Sequence, residues 1–171
     1  MNPSLVKGFR DKLDSSGDFA DIFEVVKEAV EKVLHKSRAG LMLGLSNLGG
    51  SAGYLIGAYY PMDSNLIVLN TFPLRRLIES DPALLKPYLF QVLMHEYLHS
   101  LEFYDESVVR KLTAEICHQV LGRNHLASQI ARDTGRFLPW LVYPHLGWYP
   151  KEEPEIEIVS GFDKGNLTYV S

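Results

Sequence analysis

Residues 95–99 read His95-Glu96-Tyr97-Leu98-His99. On an α-helix, positions i and i+4 share one face, about one turn apart. Two imidazoles so placed can both reach one Zn²⁺ ion at ~2.0–2.1 Å. Glu96, beside the first of them, is then set to take a proton from a metal-activated water at neutral pH. The surroundings of the motif are apolar, with Leu84, Leu85, Leu89, Val92, Leu93, Leu98 and Leu101 on most sides. Two imidazoles and a carboxyl buried in such a helix are costly unless something satisfies them, and a metal ion would.

The elements that must position this motif can be read from the pattern. A helix over about 18–36 carries Phe19, Ile22, Phe23, Val26, Val30, Val33 and Leu34 at helical spacing, with Ser16 or Asp18 as its cap. The polar residues before it, 1–18, read as loosely ordered apart from a short helical turn. Three strand-like runs follow, 41–43, 54–59 and 66–69, the last two joined by the turn chemistry of 61–65. Residues 73–79 suit a short helix. Asp81-Pro82 opens the motif helix, which runs to about 103 with a possible break at Pro87. Further helices are expected over about 105–121 and 126–138. The order predicts an α+β fold in which a backing helix and a small three-stranded sheet pack on the central motif helix, followed by more helices. We place the domain at 1–150, with its core at about 18–138. The acidic tail 151–171 is separate, and its Glu155–Val159 alternation reads as an added strand or, alternatively, as a segment lying in the active-site cleft.

At this point the chain resembles the zincin metallopeptidases, on the motif and on the order of elements from about 18 to 125. The resemblance implies hydrolysis of peptide bonds in a peptide or protein substrate, one Zn²⁺ ion, His95 and His99 as ligands and Glu96 as general base. It also implies that the strand Leu66-Ile67-Val68-Leu69-Asn70 is an open sheet edge able to hold an extended substrate by strand addition. A zincin-like domain that binds zinc as a regulatory or protein-binding module is the alternative, against which the presence of Glu96 argues.

A catalytic zinc needs a third protein ligand. Asp105 has the metzincin-like spacing, six residues after His99, although Glu102 stands where that pattern has a turning glycine and favours continuing the helix. Glu115 is the gluzincin-like candidate on the next helix. These two rank level, with Glu106 and His118 behind them. Tyr143, His145 and Tyr149 in the aromatic stretch after Pro139 are candidates to stabilise the oxyanion. His125 reads as a cap and His35 as a helix C-terminal residue. Cys117 reads as a small buried hydrophobe.

The bulk properties fit this reading. The chain has 171 residues, 46% of them apolar, and a net charge of −4. No Lys/Arg block suggests a nucleic-acid partner, and no apolar run is long enough to span a membrane. One cysteine gives no internal disulfide, and the N-terminus lacks a signal-peptide core, so the expected compartment is the cytoplasm.

Overall fold

The computed structural model describes residues 2–50, 55–144 and 146–163. The fold is α+β. Helix α1 (Pro3–Ser15) is capped by Asn2, whose side chain accepts from the amides of Ser4 and Leu5. This region was expected to be loose. It folds because Leu5, Phe9 and Leu13 recur every four residues, forming an apolar stripe that buries Phe9 and Leu13. Helix α2 (Phe19–Leu34) starts at Asp18, whose carboxylate accepts from the Asp21 amide, and ends at His35 in a left-handed conformation. His35 is thus the C-cap.

Four strands, β1 (Met42–Ser46), β3 (Ala58–Tyr59), β4 (Leu66–Asn70) and β6 (Glu157–Val159), form a mixed sheet in the order β3-β4-β1-β6. Strands β1 and β4 run parallel, with Leu43 opposite Ile67 and Leu45 opposite Leu69. Strand β3 pairs antiparallel with the far side of β4 through the turn at Pro61–Asn65. Strand β6 pairs antiparallel with β1. One expectation is corrected here, and one, the added strand at 155–159, is met. The 66–70 strand is interior, hydrogen-bonded on both sides, so it is not an open edge for strand addition; β3 holds that edge. The 155–159 segment supplies β6 on the opposite side of the sheet, so it does not enter a cleft beside β3.

The expected 54–59 strand is interrupted, and Tyr54 lies outside the described residues. Strand β2 (Leu55–Ile56) leaves the sheet to pair with β5 (Leu141–Val142). Gly57 makes the break possible: a Cβ there would stand 2.6 Å from the Tyr88 hydroxyl and 2.9 Å from Leu141 Cδ1.

Helix α3 (Thr71–Ser80) leads through a 3₁₀ turn at Pro82–Leu84 into α4 (Leu85–Ser100), which carries the motif. Pro87 sits in the first turn of α4, where its missing N–H is no loss, so the break lies upstream of it. Every residue of α4 from Pro87 to Ser100 is buried. Helices α5 (Glu106–Leu121), α6 (Leu126–Arg132) and α7 (Thr134–Phe137) follow. The packed unit does not stop near 138 or 150, because Phe162 is buried and stacks on Phe23 at 4.3 Å between ring centroids. Among the described residues, no helix is long and apolar enough to cross a membrane.

Candidate metal centre

The centre is built by how α4 ends. The Phe103 amide donates to the Leu98 carbonyl and the Glu102 amide to the His99 carbonyl, the two bonds of a Schellman turn. Glu102 takes the left-handed position of that turn, with φ 74°. A glutamate was expected to carry the helix onward; instead it turns the chain where glycine would do so at lower cost. The turn also presents the Phe103 carbonyl to His99, whose Nδ1 donates to it at 2.7 Å. That bond fixes the ring and leaves Nε2 facing inward.

Asp105 and Glu106 then divide two tasks. Asp105 is the N-cap of α5, and its carboxylate accepts from the Val108 amide at 3.1 Å. Glu106, one residue on, reaches back over the histidines. Its Oε1 lies 2.7 Å from His99 Nε2, and its Oε2 lies 3.0 Å from His95 Nε2. Among the described residues, His95, His99 and Glu106 are the one group of this kind, with donor atoms all within 4.8 Å of one another. Asp105 and Glu115, ranked first in sequence, are not brought to it. Glu115 is exposed, and its Oε1 accepts from Gln119 at 2.7 Å on the surface of α5. His118 lies about three turns beyond Glu106 along the same helix. His125 caps α6, with Nδ1 accepting from the Ala127 amide.

The donor set suits zinc. Three nitrogen and oxygen donors on a tetrahedral ion at ~2.0–2.1 Å stand about 3.3 Å apart. Glu106 Oε1 stands 2.7 Å from His99 Nε2 and 3.3 Å from His95 Nε2, and the three donor atoms all lie within 4.8 Å of one another, close enough for side-chain rotation to bring them onto one ion. Both imidazoles are buried, at 2% and 3% exposure.

Burial sets the electrostatics. It pushes the Glu96 carboxyl up to about 8, against the pull of nearby His99. Burial would also raise Glu106, but hydrogen bonds from His95 and His99 outweigh it and hold the carboxyl down at about 2. Desolvation lowers His95. His99 rises because Glu106, Glu96 and the Phe103 carbonyl together exceed its desolvation.

Glu96, His99 and Glu106 face a cavity of about 10 Å³, closed by Tyr59, Tyr60, Pro144, Leu146 and Trp148. That is room for about one water. Of the expected oxyanion residues, Tyr143 lies flat on His95, ring centroids 4.1 Å apart, and its hydroxyl donates to Gln91 Oε1 at 2.6 Å. Tyr149 is exposed and packs edge-on against Tyr59. His145 lies outside the described residues. Sequence reasoning passed over Gln91 and Tyr88. Their signal was spacing, since Tyr88, Gln91 and His95 recur at i, i+3 and i+7 on a helix otherwise apolar. Gln91 Nε2 and the Tyr88 hydroxyl are buried without a hydrogen-bond partner.

Comparison of the chain with protein-family models, with curated proteins and with solved structures returns no match.

Proposed function

We propose that this chain is a zinc-dependent peptidase of the zincin type, in which His95, His99 and Glu106 hold the ion and Glu96 is the general base. The observation that carries the reading is the convergence of three donors beside a buried carboxyl that faces the same one-water cavity. Three protein ligands leave a fourth position for water, as a catalytic rather than a structural site requires. Held by these residues, a zinc ion would supply Lewis acidity toward a carbonyl and would lower the pKa of a water beside it toward ~7. Glu96, which the charge of a bound dication would favour in its ionised form, is placed to hold a proton beside that position and to hand it to a leaving amine. The Phe103 carbonyl holds His99 in register from behind, and Tyr143 holds the plane of His95.

A second reading, a zincin-like domain that binds zinc without cleaving peptides, is favoured by one observation: the cavity beside Glu96 is far too small for a peptide. The peptidase reading requires Pro144, Leu146 and Trp148 to move aside for substrate. One set of proteins separates the two. Wild type is expected to bind about one zinc per chain. Glu106→Gln should lose at least about a hundredfold in zinc affinity, since even partners outside the ligand sphere are worth 10–100-fold. Glu96→Gln should keep its zinc and lose about 10²–10⁴ in cleavage of unfolded protein. Equal, absent cleavage by zinc-loaded wild type and Glu96→Gln would leave the binding-module reading standing.

A further inference from the structure

We propose that the open cleft beside His95 binds a carboxylate group of the substrate. That the ligand is a substrate rests on the peptidase reading, whereas the carboxylate preference rests on the cleft itself. The cleft has a volume of about 540 Å³, within the range of small-ligand sites. His95 and Tyr143 form part of its wall, so whatever fills it lies against the metal centre.

Its charge is opposite to that of the chain. The protein carries a net −4, yet Arg110, Lys111 and Arg132 line the cleft against a single carboxylate, Asp133. The Arg110 guanidinium lies over the Tyr143 ring, 5.5 Å from its centroid, and its Nε stands 3.8 Å from Glu106 Oε2, a loose contact that leaves donors free. Arg132 spends one donor on the Arg123 carbonyl at 3.3 Å. A guanidinium offers five N–H donors in a fork matched to carboxylate.

The second observation is Gln91. It is 1% exposed, lines the cleft, and has its Oε1 engaged by the Tyr143 hydroxyl. Its Nε2 has no partner. A buried amide donor left unpaired costs free energy, and a small turn of the Gln91 side chain toward the cleft it lines would let a ligand oxygen relieve it. The three cations lining the cleft select negative charge, and the orphan amide donor in its wall selects an acceptor oxygen; a carboxylate supplies both. An acidic side chain and a chain-terminal carboxylate share that chemistry.

The test measures binding of fluorescein-labelled octapeptides to the full-length Glu96→Gln protein with zinc present. The peptides are a neutral one with an amidated C-terminus, the same with a central Glu, the same with a central Lys, and the neutral one with a free C-terminal carboxylate. One or both carboxylate peptides should bind about five- to tenfold more tightly than the neutral amide, and which one does so tells side chain from terminus. The preference should fall below about twofold in Lys111→Gln/Arg132→Gln, which leaves the Arg110–Glu106 contact intact, and should weaken with salt. Equal binding of all four peptides, no measurable binding, or a preference undiminished both in that double variant and in Arg110→Gln would overturn the proposal. A wild-type protein that cleaves nothing while the carboxylate preference persists would instead sink the peptidase reading alone.

Discussion

Lys27 with Asp163, and His95 with His99 and Glu106, both bring charge into the interior, but to different ends. Lys27 Nζ lies 2.6 Å from Asp163 Oδ1 and 2.8 Å from Glu24 Oε1, and Asp163 Oδ2 accepts the Leu41 amide. Opposite charges face each other and the backbone donor is met, with Glu24 Oε1 held by its ion pair to Lys27 and not by a hydrogen bond, and the result ties Asp163 to α2 and to the start of β1. The α4 cluster is not matched in this way. Two imidazoles share one carboxylate, a second carboxyl lies next to them with its proton held by burial, and the Gln91 and Tyr88 polar atoms beside them have no partners. A fold that balances its charges in one place and leaves donors converging in another marks the second place as the one a ligand completes.

The largest expected effect comes from breaking the matched pair. Asp163→Ala leaves Lys27 with Glu24 alone and orphans the buried Leu41 amide; losing a charge-assisted hydrogen bond and leaving a buried donor unmet should together cost about 3–5 kcal/mol of stability, read as a fall in the denaturation midpoint. His95→Ala in chelator should cost well under half as much, because the cluster is not closed by its own charges. Comparable losses in the two variants would erase the distinction between the regions.

Acidity sharpens the same contrast. In the metal-free protein Glu96 holds its proton up to about pH 8, whereas the unfolded chain releases it near 4.5. A carboxyl raised on folding makes the native state bind more protons than the unfolded one in that window, so stability falls as pH rises from 4.5 to 8. Glu96→Gln removes this term, and in chelator it should be more stable than wild type by roughly 2–4 kcal/mol at pH 9, with no gain at pH 4. For Lys27, burial works against the charge but Asp163 and Glu24 outweigh it, and the raised ammonium holds its contribution until pH passes its usual 10.5. Denaturation midpoints across pH 4–9 check the window; parallel curves for the two proteins would contradict it.

How far the sequence reached follows from where each signal resides. The motif helix, α2 and the β3–β4 turn were legible because periodicity, capping residues and turn residues are local. The α1 helix was missed because its stripe of Leu5, Phe9 and Leu13 is thin, and α5, against which it packs, is remote in sequence. The interior place of β4 was not legible, since pairing partners are set by tertiary contacts: the resemblance suggested an edge, and β3 covers it. The third donor failed for a subtler reason. Asp105 and Glu106 are neighbours, and which of them caps α5 and which turns inward depends on the angle at which the chain leaves α4. That angle is fixed by a turn that the residue types at 101–104 do not announce.

The smallest effect tests that turn directly. Glu102 holds φ 74°, a conformation that costs an L-residue about 1 kcal/mol or more and costs glycine almost nothing. Replacing it by glycine relieves this strain but gives the unfolded chain more freedom to lose, so the net gain should be about 0.5–1 kcal/mol. If the Schellman turn is what aims Glu106 at the histidines, Glu102→Gly keeps wild-type zinc affinity while becoming more stable. Alanine at the same position keeps the strain and should gain nothing. A glycine variant that is less stable, or that loses zinc, would mean the Glu102 side chain contributes something beyond the turn, and the separation of fold from metal centre at this junction would have to be redrawn.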